Sequence, residues 1–211
     1  MTTKDPEHKK GPFAPTKMPL PSDARATREL LKYVPQFSLA ERGRRWDRLR
    51  KKMITAGLDA LVFLGNDIYW GMGMANLRYV LQVDSQIGAD AIFPLEGQPV
   101  VWNAVPHMNR PTSMYLSLQE WVSDFRIRGG VKAVADELRT RGMEGSKLGL
   151  VGFSSTIQTT PTILHADVVA LERLLPHATF IDASWVLEEI DRKSTRLNSS
   201  HIQKSRMPSS A

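Results

Sequence analysis

The stretch FSLAERGRRWDRLRKKMITAGLDALVFLG, residues 37–65, carries the signals of a helix followed by a buried strand. Ser38, followed three residues later by Glu41, forms a capping box in which each side chain satisfies a free amide at the helix start. One apolar face at helical spacing comprises Leu39, Trp46, Leu49 and Met53. Gly57 supplies the left-handed residue that ends the helix. The apolar run at 60–64 then predicts a short strand that is buried on both faces.

Downstream of this unit, predicted strands and helices alternate, with one hairpin among them. Residues 89–95 and 99–103 indicate that hairpin, with its turn at Glu96-Gly97. Other strands are predicted at 121–127, 147–153 and 179–184. Other helices are predicted after Gly129-Gly130, at Thr160-Pro161 as cap and first helical residue, and from Trp185 onward. The pattern predicts the α/β class: a three-layer α/β/α domain whose mixed, mostly parallel sheet contains one hairpin.

The two ends of the chain differ in composition from this domain, which we place at 37–190. Residues 1–36 are rich in proline, with five of these residues at 6, 12, 15, 19 and 21, which exclude a regular helix or an inner strand, so we expect a disordered N-terminal arm. Residues 191–211 contain five lysines and arginines, one aspartate and no apolar periodicity. Both halves of this tail can be reverse-translated into a common short-read sequencing adapter, separated where its variable index would lie. We therefore expect 191–211 to be a disordered read-through artefact.

Composition limits the classes of partner. The whole chain has 28 lysines and arginines against 22 aspartates and glutamates, and leaving out the tail gives 23 against 21. The densest basic run, Arg42 to Lys52, is interrupted by Asp47, which indicates a solvated helix face rather than a nucleic-acid surface. The absence of cysteine excludes disulfides and thiolate metal sites. Since no signal core or membrane-length apolar run is present, we expect a cytoplasmic protein that binds neither nucleic acid nor membranes.

The short motifs that invite a catalytic interpretation are incomplete. GMGMAN at 71–76 lacks the third glycine of a dinucleotide fingerprint, and GFSS at 152–155 lacks the second glycine of a nucleophile elbow. His165 and Asp167 are two residues apart, so on a helix they point to different faces and make a poor metal pair. Taken alone, the residues describe a domain without an active site.

The order of the motifs is nevertheless similar to a known family. RRWDRLRKKMITAGLDALVFLGNDIYW at 44–70 is followed by NLRYV at 76–80, GADAIFPLEGQPVVW at 88–102, KLGLVG at 147–152 and FIDAS at 180–184. This order resembles the amino-terminal domain of the creatinase/prolidase/aminopeptidase P family of pita-bread metallohydrolases, over about residues 40 to 190. One departure is that many relatives carry YLTG where this chain has YVLQ, at 79–82.

The resemblance implies that catalysis belongs to a following domain. In relatives, two Asp, one His and two Glu there hold two divalent metal ions, such as Mn, Co or Zn, that activate water. None of these ligands is implied within this chain, which we therefore expect to be inactive and without a cofactor of its own. The amino-terminal domain in relatives shapes homodimer contacts and one wall of the substrate pocket.

On that basis five residues are candidates for pocket or interface roles: Trp70, Asn76, Arg78, Tyr79 and His107. Arg78 is the strongest of them, because a guanidinium can hold a substrate carboxylate with two hydrogen bonds. Two structural alternatives stay open. Asn76 would cap the short helix in this region, and Tyr79 would pack in the core with its hydroxyl hydrogen-bonded.

Three hypotheses about the function follow. In the first, the chain is the amino-terminal part of a truncated Xaa-Pro peptidase-like hydrolase. In the second, the parent shares the fold but is a creatinase-like amidinohydrolase or a dimethylsulfoniopropionate lyase. In the third, the chain is a stand-alone binding module with a genuine basic tail. Under the first two we also expect Trp185, Leu187 and Ile190 to begin an apolar surface that a catalytic domain covers.

Overall fold

The computed structural model describes residues 37–64, 74–83, 88–103, 120–127, 129–153 and 161–190. The helices are α1 (Leu39–Ala56), α2 (Ala75–Leu81), α3 (Val131–Thr140), α4 (His165–Leu174) and α5 (184–190). The strands are β1 (Ala60–Leu64), β2 (Ala89–Pro94), β3 (Val100–Asn103), β4 (Asp124–Ile127), β5 (Lys147–Val151) and β6 (Thr179–Asp182). The predicted arm at 1–36 and the predicted tail at 191–211 lie outside the described residues.

The strands form one six-stranded sheet in the order β4-β3-β2-β1-β5-β6. Strand β2 pairs antiparallel with β1 and β3, whereas the pairs β1–β5, β5–β6 and β3–β4 are parallel. Among the strands that the structure describes, five therefore point in one direction and β2 is reversed, which confirms the predicted mixed, mostly parallel sheet. The hairpin β2–β3 turns where Gly97 has a φ of 90°, a conformation that favours glycine.

Helices cover both faces of the sheet, as predicted. On one face, α1, α2 and α5 pack against Leu61 and Phe63 of β1. On the other face, α3 and α4 pack against Ala60, Val62 and Leu64 of the same strand. All five residues of β1 are buried because neighbours lie above and below the central strand. None of the helices in the described part of the chain combines the length and apolar character that a membrane span requires.

Helix α1 begins and ends where the sequence predicts. Ser38 Oγ accepts a hydrogen bond from the Glu41 amide at 3.2 Å, and Gly57 ends the helix with a φ of 63°. Of the predicted apolar face, Trp46, Leu49 and Met53 are buried, whereas Leu39 is 46% exposed. An 18-residue helix is about 27 Å long whereas a five-residue strand is about 17 Å long. The helix is therefore longer than the strand that it covers, and not every residue on its apolar face can pack against that strand.

The predicted start of α4 at Thr160-Pro161 is also wrong. Thr160 lies outside the described residues, and the helix begins at His165. The amides of Thr162 and Ile163 both donate to the Gly152 carbonyl oxygen, at 2.6 and 3.3 Å, which ties the segment to the end of β5. These two bonds hold residues 162 and 163 against the end of β5, and the helix begins two residues later.

Helix α5 is anchored to β5 through a buried serine. Ser184 Oγ accepts hydrogen bonds from the amides of Gly152 and Phe153, at 3.2 and 3.1 Å. The helix then buries Leu187 and Ile190, each only 4% exposed, in the same core as α1. The expectation that these two side chains await cover by another domain is therefore wrong, because the domain's own sheet covers them. Only Trp185 of the three is exposed, at 40%.

Candidate functional site

The structure describes three of the five candidate residues, and all three lie on α2. Asn76, Arg78 and Tyr79 are half-buried there, whereas Trp70 and His107 lie outside the described residues. The structural alternative for Asn76 is wrong: α2 has Met74 as its N-cap and no side-chain cap, and Asn76 lies inside the helix. Tyr79 packs partly buried against the core that α1 covers.

The carboxyl end of α2 is held by side chains from α1. Arg45 Nη1 donates to the Tyr79 carbonyl oxygen and Trp46 Nε1 donates to the Val80 carbonyl oxygen, both at 2.8 Å. The last carbonyls of a helix have no partner within the helix, and a cation near them also interacts favourably with the helix dipole. Two neighbouring residues of α1 therefore fix the position and orientation of α2.

Gln82 ends α2 in the left-handed conformation, with a φ of 54°. It occupies the position where relatives of the resembled family have glycine, and a residue with a side chain pays a conformational cost there. Its side chain is used, however: Gln82 Oε1 accepts a hydrogen bond from the Phe37 amide at 2.9 Å, and Gln82 is only 5% exposed. Gln82 thus makes a left-handed turn without glycine and adds a contact to the residue that precedes the cap of α1.

An arginine–aromatic cluster, formed by Arg45 with Phe37, Tyr79 and Trp121, lies beside α2. The Arg45 guanidinium carbon is 4.3, 4.4 and 5.4 Å from the ring centres of Phe37, Tyr79 and Trp121, respectively. Glu41 Oε1 accepts from Arg45 Nε at 2.7 Å, so the shielded cation has a counter-ion. Burial alone would raise the pKa of Glu41, but hydrogen bonds from Arg45 and Arg44 hold that pKa below its ordinary value.

The basic run of α1 is not simply a solvated face. Besides Arg45, Arg42 Nη1 donates to the Trp121 carbonyl oxygen at 3.3 Å, and Arg50 Nη2 donates to the Gly97 carbonyl oxygen at 2.6 Å. The guanidinium groups of Arg42 and Arg50 also lie over the Trp46 ring. Three arginines therefore join α1 to three other segments. Their spacing around a central tryptophan was the available sequence signal, because arginine stacks on aromatic rings.

Substituting lysine for Arg45 is expected to destabilise the domain by about 1–3 kcal/mol, although the charge is kept. A lysine ammonium cannot stack on three rings while bonding both Glu41 and the Tyr79 carbonyl. Chemical denaturation measures the loss, and Arg48→Lys on the same helix is the matched control. Equal stability of the two variants would contradict a specific role for the Arg45 guanidinium.

A second charged network joins the edge strand β4 to α3. Glu137 is 8% exposed and accepts from Arg126 Nη1 at 2.6 Å and from Arg141 Nε at 2.7 Å. Arg126 also pairs with Asp124 and lies over the Trp102 ring. Burial would raise the pKa of Glu137, but the hydrogen bonds from Arg126 and Arg141 outweigh it and lower that pKa below its ordinary 4.5.

We expect Glu137→Gln to destabilise the domain at neutral pH by about 1.5–3 kcal/mol, since it removes charge-assisted hydrogen bonds. Because the pKa of Glu137 is lower in the folded state, its stabilising effect is present above pH 4.5 and is lost as pH falls through the folded pKa. Denaturation at pH 7 and near pH 3 measures both parts: the gap between wild type and variant should shrink in acid. A gap that is independent of pH would contradict this.

The arrangement around α2 suits positioning and recognition. Within the residues that the structure describes, no three His, Asp or Glu side chains converge so that they could hold a metal ion. What the cluster offers is aromatic surface, guanidinium groups and fixed backbone groups. These can hold a helix, a peptide segment or a carboxylate in place.

Comparison with known proteins identifies solved structures that share this fold. No family model and no curated protein matches the chain. Among solved structures, the chain is similar to an Xaa-Pro dipeptidase from Bacillus anthracis, with a TM-score of 0.50 and 16% identity over 71% of this chain and 35% of that one. A recombinant prolidase from Thermococcus sibiricus gives a TM-score of 0.51 and 13% identity over 74% of this chain and 37% of that one.

A third similar structure is that of a shorter chain, which this chain covers almost completely. The N-terminal domain of the cytoplasmic peptidase PepQ from Mycobacterium tuberculosis H37Rv matches with a TM-score of 0.49 and 17% identity, over 69% of this chain and 96% of that one. The chain thus spans about a third of the dipeptidase and the prolidase. At these identities the similarity to the dipeptidase and the prolidase establishes a shared fold, which confirms the fold implied by the resemblance.

Proposed function

We propose that residues 37–190 are the non-catalytic amino-terminal domain of a cytoplasmic, metal-dependent hydrolase similar to Xaa-Pro peptidases, and that they shape homodimer contacts and one wall of the substrate pocket. The observation that carries the proposal is the fold shared with an Xaa-Pro dipeptidase and a prolidase, of which the chain spans about a third. The order of the sequence motifs from 44 to 184 supports the same assignment.

In this proposal the two divalent metal ions, Mn, Co or Zn, belong to a following domain. The described residues do not fit such a centre, because no three metal-ligating side chains converge among them. No chemical step is therefore assigned to them. Their contribution is geometric: Arg45 and Trp46 fix α2, and α2 carries Asn76, Arg78 and Tyr79. A fixed guanidinium at Arg78 would hold a substrate carboxylate without the entropic cost of ordering a mobile loop.

The test is to sequence the gene past the codon for Ile190 and to assay the protein that the frame encodes. We expect metal ligands downstream and Mn²⁺-dependent cleavage of Xaa-Pro dipeptides. In that protein Arg78→Ala should raise KM by about 10- to 100-fold, the value of a charged hydrogen bond, with a smaller change in kcat. Arg173→Ala, exposed on α4, is the matched control and should leave both constants unchanged.

Other outcomes would replace the proposal. Cleavage of creatine or dimethylsulfoniopropionate by the encoded protein would favour the osmolyte-acting relatives. A natural stop codon after Ala211 would favour a stand-alone binding module. For the 211-residue chain itself, we expect no Xaa-Pro cleavage and no change of Tm with Mn²⁺ or Co²⁺, because a metal that bound the native state would raise Tm. A metal-dependent shift of Tm would contradict the placement of both metals in another domain.

A further inference from the structure

Phe37 is held by four contacts although about half of the residue is exposed. Its amide donates to Gln82 Oε1 at 2.9 Å, and its carbonyl oxygen accepts from Trp121 Nε1 at 3.0 Å. Its ring lies 4.3 Å from the Arg45 guanidinium and 6.1 Å from the Trp121 ring. The residue itself is 53% exposed. So many directed contacts on so exposed a residue resemble the binding of a ligand more than the packing of a core.

The three residues that hold Phe37 are also bonded to other parts of the domain. Trp121 is 1% exposed, and its carbonyl oxygen accepts from Arg42. Gln82 ends α2, where its amide donates to the Arg78 carbonyl oxygen at 3.1 Å. Arg45 is bonded to Glu41 and to the Tyr79 carbonyl. Groups that keep their positions when a ligand leaves bind the next one without a reorganisation cost.

These contacts recognise a chemical class. Gln82 and Trp121 bond the amide and the carbonyl of one residue, which any amino acid except proline offers, and the guanidinium of Arg45 favours an aromatic ring. We propose that Gln82, Trp121 and Arg45 form a recognition site for one aromatic residue of an extended peptide segment, and that Phe37 occupies this site as an intramolecular plug. The site is separate from the pocket role proposed for Arg78.

Phe37 can leave the site without unfolding α1. The helix is capped by Ser38 Oγ, which accepts from the Glu41 amide, and this bond does not involve Phe37. A peptide in solution competes with a plug whose effective concentration is about millimolar or higher, because Phe37 is tethered to α1. The site is therefore closed to peptides in the wild-type chain and opens when Phe37 withdraws.

The experiment uses the full chain with Phe37→Pro, which removes both the donated amide and the ring. The probe is the acetylated, amidated peptide of residues 35–39, PQFSL. The readout is the Trp121 indole N–H resonance in ¹⁵N–¹H spectra, identified among the five tryptophans by Trp121→Phe. We expect saturable peptide binding at about millimolar concentration that returns this resonance to its wild-type position. Binding to the wild-type chain should be at least about 10-fold weaker.

Matched controls separate recognition from nonspecific contact. The peptide PQLSL, which lacks the ring, should bind at least about five-fold more weakly, and adding Gln82→Ala to the Phe37→Pro chain should abolish the response. If Phe37→Pro does not fold, Phe37→Gly serves in the same titration. Any of three results would overturn the proposal: no response in the folded variant, an equal response in the wild type, or a response that survives Gln82→Ala.

Discussion

Replacing Gly152 with alanine is expected to lower the free energy of unfolding by about 3–5 kcal/mol, a large part of the stability of an ordinary domain. Gly152 has a φ of 133°, a conformation that costs a non-glycine residue about 1–3 kcal/mol. An added Cβ would also lie well inside van der Waals contact with Thr162 Oγ1 and 3.0 Å from Ile163 Cγ1. The segment cannot move away easily, because the Thr162 and Ile163 amides bond the Gly152 carbonyl.

The measurement is urea denaturation of the full chain, and Gly142→Ala is the matched control. Gly142 also has a positive φ, 70°, but an added Cβ there meets no atom within 4 Å. Its substitution should lower the free energy of unfolding only by the cost of placing a non-glycine residue at a positive φ, about 1–2 kcal/mol. Similar losses in the two variants would mean that the tie between β5 and the start of α4 tolerates an extra methyl group, contrary to the structure.

The second large effect is expected for Trp46→Ala, at about 3–5 kcal/mol. Trp46 is 4% exposed and packs edge-on against Phe93, with ring centres 5.4 Å apart. Its indole donates to the Val80 carbonyl oxygen, and Arg42 and Arg50 lie over its ring. The substitution therefore creates a cavity, leaves a buried carbonyl without its donor and removes the rings on which two arginines stack.

Chemical denaturation measures the total loss of unfolding free energy. Hydrogen exchange of the backbone amides shows which helices and strands lose protection. Protection should decrease in α2, whose last carbonyls depend on Trp46 and Arg45. Trp46→Phe keeps an aromatic ring but removes the N–H donor, so it should cost less, about 1–3 kcal/mol, while still loosening α2. If α2 keeps its protection in Trp46→Ala, then α1 does not position the helix that carries Arg78, and that part of the proposed function fails.

The sequence by itself determined the elements whose signals are local. Ser38 and Gly57 bound α1, and a run of five apolar residues gives β1, because capping bonds, left-handed turns and periodicity act over a few residues. The hairpin turn at Gly97 is also set by a local signal, since it depends on a glycine at a positive φ. The order of these helices and strands along the chain then predicted the α/β class and the three-layer architecture.

The sequence alone predicted only part of the candidate site. Asn76, Arg78 and Tyr79 were singled out through the order of motifs, and the structure places them together on α2. Phe37, Arg45 and Trp121 were not singled out as a group. Phe37 and Trp121 are 84 residues apart, and Arg45 and Tyr79 are 34 apart, so no local pattern joins them.

Only the tertiary structure decided the features that depend on contacts between distant segments. It placed residues 162 and 163 against the end of β5, where the Gly152 carbonyl oxygen accepts from both of their amides, and α4 begins only at His165. It turned Arg42, Arg45 and Arg50 toward backbone carbonyls, although a basic run alone indicates a solvated face. It buried Leu187 and Ile190 in the domain's own core. In each case a hydrogen-bond partner or an apolar neighbour from another element outweighs a local preference worth at most about 1 kcal/mol per residue.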